Sequence, residues 1–287
     1  MFSINPNSGA SDKRELCETI AERLKQNGFQ VVLSSDLAEV EVVTKKHLDA
    51  GDLRAVVSAG GDGTVALLAN MLPPETPFAI LPMGTENLLG RHLNLRAEED
   101  FFVSLIEHGQ TRRLDAGDAN GKLFFVVASC GFDAAVVKRL DEIRSGHINY
   151  LSWLKPIWQT VVRYRYPELR YSIDGKEPKS ARWIFLFNIP RYAIGLRITP
   201  EAKDSDGLLD LCTYRGPGLL RGLRYLVITF LGRHLRSRST DLDQFKTLTI
   251  EAPPEQTVYY ELDGDPGGEL PLNVSVIPQR LKVLVPQ

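Results

Sequence analysis

The string Gly60-Gly61-Asp62-Gly63-Thr64 constrains this chain more than any other feature, because a strand-like run ending at Ser58 leads into it and the helical pattern Val65-Ala66-Leu67-Leu68 leads out. A strand that passes through glycines directly into a helix is the entry to a βα unit. Glycines admit positive φ and close backbone approach, so amide N–H groups can converge on phosphate oxygens at the positive end of a helix. Asp62 alone would repel phosphate. Its pairing with glycines points to a magnesium-bound nucleotide, the metal bridging the charges. The alternative reading of the string is a tight strand-to-helix turn.

The surrounding pattern supports a sheet that such a loop could serve. Residues 2–4, 31–33, 55–57 and 78–81 read as strands, alternating with helical stretches. Leu16, Ile20 and Leu24 recur at helical spacing, Asp12 with Glu15 suits a capping box, and Gly28 is a stop. A second helix is expected from about residue 37 to 48, and a third after Gly63. Crossovers of this kind predict a parallel sheet with helices on its faces, and ligands beyond the carboxyl ends of its strands. Two more polar loops share that edge: Asn5-Pro6-Asn7-Ser8-Gly9 after the first strand, and Pro82-Met83-Gly84-Thr85-Glu86-Asn87 after the fourth. Alone, the first of these is equally well ordinary turn chemistry; three together surround one crevice.

From about Thr111 the texture becomes β-rich, with Asn120-Gly121 and Asp174-Gly175 as hairpin signals. Strands are expected at residues 122–129, 183–188, 208–213, 246–251, 258–262, 274–277 and 281–285, suggesting an antiparallel sandwich. The fold class is therefore an α/β N-terminal domain with a parallel sheet, residues 1–112, followed by a β-rich sandwich domain, residues 113–287, with a cleft between them as the expected site. At 287 residues and 43% hydrophobic content, the chain can build both cores. A formal net charge of −2 gives no reason to expect nucleic acid. Cys17, Cys130 and Cys212 lack CxxC spacing and read as buried hydrophobes of a reducing compartment, and the five histidines show no metal-ligand spacing. No leader pattern or membrane-spanning run is visible, so a cytoplasmic protein is expected, with any contact at the inner membrane peripheral.

Taken together, the loop at Asn5 to Gly9, the Gly60 to Thr64 string, the Pro82 to Asn87 loop, Gly131-Phe132-Asp133-Ala134, Pro200-Glu201-Ala202 with Asp206-Gly207-Leu208-Leu209-Asp210, and Asp263-Gly264-Asp265 resemble the diacylglycerol-kinase-like lipid kinases, bacterial enzymes related to diacylglycerol, sphingosine and ceramide kinases. The resemblance spans nearly the whole chain. It implies ATP and Mg2+ as cofactors and a membrane-lipid hydroxyl as acceptor, and leaves a homodimer open. It implies nucleotide contacts by Asn5, Ser8, Gly9, Gly60, Gly61, Asp62, Gly63, Thr64, Gly84, Thr85, Asn87 and Asp265, and a magnesium site at Asp206 and the backbone of Leu208. Asp263 would be the general base, with Asp62 the second catalytic candidate. The chain departs from the family pattern at Asn87-Leu88, where relatives carry Asn-Asp, at Ala193-Ile194-Gly195 in place of three glycines, and at Asp265 in place of Glu.

Read from residues alone, Asp263 to Gly268 could be an acidic surface turn. A kinase nevertheless needs only phosphate positioning, a metal and a carboxylate near the acceptor hydroxyl, and Asp263 completes that set. Arg221, Arg224, Arg233, Arg236 and Arg238 lie among leucines without an acidic residue, which suits either an anionic lipid surface or a packed helix with a solvated basic face. The alternatives to a lipid kinase are an NAD-kinase-like small-molecule kinase, which shares the glycine string, and a non-catalytic lipid- or nucleotide-binding regulator.

Overall fold

The apolar runs of the N-terminal half form parallel strands in the computed structural model, which describes residues 1–4, 11–142, 164–216 and 218–287. The chain divides into two units, Met1–Asp115 with Gln279–Gln287, and Ala116–Pro278. The first contains β1 (Phe2–Ile4), α1 (Ser11–Gln26), β2 (Leu33–Ser34), α2 (Leu37–Ala50), β3 (Val56–Gly60), α3 (Asp62–Met71), β4 (Pro77–Pro82), α4 (Leu88–His92) and α5 (Glu99–His108). Its strands run parallel in the order β2-β1-β3-β4, and the far half of β16 (Leu272–Val285) adds beside β4. Helix α1 buries Cys17, Ile20, Ala21 and Leu24, one face at helical spacing. It begins at Ser11, so Asp12 lies inside the first turn, and it ends where Gly28 (φ 90°) returns its N–H to Lys25 O. Strand β2, expected over residues 31–33, is two residues long and pairs with β1 through Leu33 and Ser34.

The second unit is antiparallel. One sheet has the order β12 (Thr240–Phe245), β11 (Leu209–Tyr214), β10 (Trp183–Phe187), β7 (Val127–Cys130), β14 (Tyr259–Leu262), β15 (Asp265–Glu269). The other holds β9 (Lys179–Ala181), β8 (Leu169–Ile173), β13 (Thr247–Glu251) and the near half of β16, with β5 (Gln110–Ala119) and β6 (Lys122–Phe124) joined by the Asn120-Gly121 turn. Ile184 and Leu186 of β10 point into the core between the sheets, with Leu211, Leu248 and Ile250. Trp183, Phe185 and Phe187 alternate to the other face and stack with Tyr192 and Tyr214. Strand β10 is thus apolar on both sides, which is why it reads as a continuous run. Helices α6 (Phe132–Glu142) and α7 (Leu219–Phe230) belong to this unit.

Three expectations differ from the structure. The segment expected as one strand over 122–129 breaks into β6 and β7 at Phe125-Val126, where backbone N–H groups turn to a side chain instead of a strand. Two expected C-terminal strands are the single β16, since the pairings of Leu272 to Ser275 with β13, and of Lys282 and Val283 with β4, do not use the N–H that Pro278 lacks. The last segment, expected with the second domain, groups with the first unit. Residues 150–164, whose mix of aromatic, aliphatic and basic residues also reads as a helix, lie outside the described residues except Tyr164. All three cysteines are free and buried. Among the described residues, no helix is long and apolar enough to cross a membrane.

Packing in the β5–β6 hairpin is close. A Cβ on Gly117 would lie 2.1 Å from the ring of fully buried Phe124. Gly117→Ala is expected to cost about 1–3 kcal/mol through overpacking, read as a lowered Tm by circular dichroism, and Phe124→Leu in the same chain should recover part of the loss.

Candidate functional site

In the first unit, the two glycine loops at the carboxyl ends of β3 and β4 are fastened to one another. The ladder pairs Gly60 with Pro82, and Met83 N–H continues it by donating to Gly60 O at 2.9 Å. A Cβ on Gly84 would lie 2.6 Å from Gly61 Cα, and one on Gly60 would lie 2.2 Å from Thr64 Oγ1. These glycines are therefore required by the packing of protein on protein, whatever else they admit. Asn87 closes its loop from both sides: Oδ1 accepts from Gly84 N–H and Nδ2 donates to Gly84 O, each at 2.7 Å. Its φ of 49° is one that Asn tolerates better than most residues.

Asp62, expected to face a metal-bound nucleotide, turns both carboxylate oxygens to the start of α4. Leu88 N–H donates to Oδ2 at 2.7 Å and Leu89 N–H to Oδ1 at 3.0 Å. Burial pushes the Asp62 carboxyl up, against the downward pull of those two amides. The side chain therefore anchors structure. Gly61, the residue before α3, has no side chain to cap that helix, whereas Asp36 caps α2 by accepting from Ala38 N–H at 2.9 Å. The amides at the very start of α3, up to Gly63, are those for which a helix has no internal acceptor, whereas Thr64 N–H already donates to Gly61 O at 3.0 Å. Gly60, Gly61, Asp62, Gly63, Thr64, Gly84, Thr85 and Asn87 are thus brought together; Asn5, Ser8 and Gly9 lie outside the described residues.

In the second unit, Asp263-Gly264 is a two-residue hairpin turn between β14 and β15, with φ of 52° and 88°. Both values are positive, as a type I′ turn demands. The Asp263 carboxylate accepts from three successive amides: Phe125 at 2.9 Å to Oδ2, then Val126 at 2.9 Å and Val127 at 3.0 Å to Oδ1. It thereby satisfies the backbone where β6 and β7 part, and the turn reading and the functional reading fall on the same residue. Asp265 beside it is exposed. Asp206 sits in the turn before β11, accepting from Leu208 N–H at 3.1 Å. Close by in sequence, Asp210 has one oxygen on Gln244 and a buried second oxygen without a partner; its carboxyl is pushed up to about 6, chiefly by burial, with Asp206 and Glu201 adding. Among the described residues, no three metal-ligating side chains converge. The register Asp210↔Phe187↔Val127, with Asp263 N–H donating to Val127 O, puts the Asp206 turn and the Asp263 turn at one end of the six-stranded sheet. Three strand spacings, roughly 14 Å, separate them.

A third group is marked in the sequence only at Asp133, within the Gly131-Phe132-Asp133-Ala134 motif. Glu261 and Ser129 are cross-strand partners on β14 and β7, and Ser129 Oγ donates to Asp133 of α6 at 3.0 Å. Tyr192 OH donates to the same Asp133 oxygen at 2.6 Å, and Gly264 N–H donates to Glu261 Oε2 at 2.8 Å. Burial pushes both carboxyls up, and the charge of Asp133 pushes Glu261 further. For the rest, the available signal is Glu261 itself, a carboxylate inside the apolar run Tyr259-Tyr260-Glu261-Leu262.

A glycine-rich α/β unit followed in sequence by an antiparallel sandwich defines an NAD-kinase-like fold. Residues 1–119 match the diacylglycerol kinase catalytic domain, and residues 126–285 match the YegS C-terminal NAD kinase beta sandwich-like domain. The chain belongs to the diacylglycerol-kinase-like family of kinases. It is 29% identical over 296 residues to a diacylglycerol kinase of Mycobacterium tuberculosis (strain CDC 1551 / Oshkosh), covering 99% of this chain and 94% of that one. It is 21% identical over 289 residues to a diacylglycerol kinase of Bacillus subtilis, covering 99% and 95%. A crystal structure of a diacylglycerol kinase from Bacillus anthracis shares the fold with a TM-score of 0.68 at 18% identity, covering 99% and 96% of the two chains. Yeast NADH kinase in complex with NADH shares it at 0.52 and 12% identity, covering 100% and 82%.

Two outcomes follow from these contacts. Asp62→Ala leaves the Leu88 and Leu89 amides without their acceptor, so a loss of about 1–3 kcal/mol is expected, measured by urea denaturation; unchanged stability would mean that solvent replaces the carboxylate freely. The raised carboxyls of Asp133 and Glu261 mean that the folded state holds more protons than the unfolded one above the ordinary carboxyl range. Their contribution is fully present below that range and is lost as pH rises. Glu261→Gln, neutral and of similar shape, should therefore melt higher than the parent at pH 8, with the gap closing toward about pH 4. A lower Tm at pH 8 would show instead a favourably paired anion.

Proposed function

We propose that this chain is an ATP-dependent lipid kinase that transfers the γ-phosphoryl group to a hydroxyl of a membrane lipid such as diacylglycerol. The observation that carries the reading is the pair of glycine loops fastened by Asp62 and Asn87 beside a helix start without a side-chain cap, in a chain whose curated relatives are named diacylglycerol kinase over nearly their full length. Bound ATP would supply the phosphoryl group. The amides of Gly61 to Gly63 would take phosphate oxygens, as helix starts do, and the Gly84 to Asn87 loop, closed by the Asn87 side chain, would hold their position. Mg2+ would be held by Asp206 and the Leu208 carbonyl only with further ligands from water or backbone, since no three metal-ligating side chains converge among the described residues, and would neutralise charge.

Asp263 is the proposed base, taking the proton of the acceptor hydroxyl. Its three amide donors hold the carboxylate in one position. The hydrogen bonds complicate the usual probe. In Asp263→Asn, an amide NH2 must face at least one backbone N–H, so a lower Tm is expected along with a kcat reduced about 10²-fold or more. Asp265→Asn, at an exposed position, should change either quantity far less.

Transfer of label from γ-32P-ATP to diacylglycerol, ceramide, sphingosine, phosphatidylglycerol and NAD in parallel tests the function. Label in an organic-soluble product, reduced in Asp263→Asn, is the expected result. Label in NADP alone would place the chain with the small-molecule kinases, and no transfer to any acceptor would favour a binding protein.

A further inference from the structure

Helix α7 is inside out. A surface helix ordinarily buries its apolar stripe. Here the inward positions are Gly222, Tyr225 and Thr229: a Cβ on Gly222 would lie 2.4 Å from Tyr166 Oη, the buried Tyr225 hydroxyl accepts from Gly216 N–H at 2.8 Å, and Thr229 bonds the Tyr214 hydroxyl at 2.6 Å. The opposite side carries Leu220 (82% exposed), Leu223, Val227 (56%), Phe230 (70%) and Leu231, all facing solvent. At 100° per residue these five fall on one continuous face. Arg224 borders it, and Arg233, Arg236 and Arg238 follow in the next turn, all exposed. No aspartate or glutamate occurs between Arg215 and Thr240.

We infer that this face is a docking surface for an anionic lipid bilayer. An apolar face of this breadth is unusual on a protein surface, and its border has one sign of charge. An acyl-chain region would take the leucines, valine and phenylalanine, and phosphate headgroups would take the arginines, the arrangement of interfacial amphipathic helices. A second copy of the chain would bring the same arginines toward one another, which the charge pattern disfavours. The inference deepens the lipid-kinase reading, but docking is read without turnover, so either can fail alone: vesicle binding by a protein that phosphorylates no lipid would retain the docking face and remove the lipid acceptor.

The test is cosedimentation of the full chain with vesicles of phosphatidylcholine alone, and with phosphatidylglycerol added to about one part in three. The parent should bind the mixed vesicles more tightly, and less so as salt is raised. Arg224→Glu with Arg233→Glu should weaken that binding about 25-fold or more, at about fivefold for each of the two arginines removed. Val227→Glu with Phe230→Glu should abolish binding to both vesicles, with Tm unchanged because both sites are exposed. Equal binding by all variants, or no binding by the parent, overturns the inference. So does a parent that sediments as a dimer without vesicles while Val227→Glu with Phe230→Glu is monomeric, since the face would then be covered by a second copy.

Discussion

Every backbone N–H that regular pairing leaves over needs an acceptor, and in this chain the acceptor is repeatedly an aspartate carboxylate. Asp62 serves Leu88 and Leu89, Asp263 serves Phe125 to Val127, Asp174 serves Lys246 and Thr247, and Asp115 serves Gln279. A carboxylate is a stronger acceptor than a carbonyl and can take several donors at once. One side chain thus closes each loop that regular pairing cannot. Two of these four are also the residues a phosphotransferase would want held still. Groups fixed by several amides lose little further freedom when a substrate arrives, so under the proposed function the same bonds that complete the fold would also place the chemistry.

That double use explains what could and could not be read from the chain of letters. The βα order, the helix faces and the hairpin at Asn120-Gly121 depend on near neighbours and are visible as periodicity and turn chemistry. The glycine loops were visible as well, though not the reason for each glycine. Gly84 is needed because Gly61 passes 23 residues earlier, a contact no local pattern announces. Asp263 could be read as a turn or as a base, and the bonds to Phe125, Val126 and Val127 come from the other end of the sandwich sequence. Glu261 shows the same limit. Alternation along β14 separates it from Tyr260 and Leu262, but only pairing with Ser129 and cover by α6 make its face buried.

Helix α7 carries the lesson into orientation. Its leucines and arginines announce an amphipathic helix, and the ordinary inference sends the leucines inward. What reverses it is Gly222 against Tyr166 and the hydroxyls of Tyr214 and Tyr225, three aromatic partners scattered across some 60 residues. Composition shows that two faces exist; the partners decide which one is kept.

Strand β16 sets the order in which the chain can be finished. Its last residues pair with β4, about 200 positions upstream, and Arg280 donates to Ala69 O. A nascent chain leaving the ribosome can form β1 to β4 and their helices early, yet the outer edge of β4 has no strand beside it until residues 279–287 emerge. Contacts so distant in sequence are slow to form, and an open parallel edge is prone to pairing with the wrong chain meanwhile. The whole of the second unit must therefore be synthesised during an interval in which the first is still unsealed, which makes synthesis speed and chaperone access part of this protein's physical chemistry.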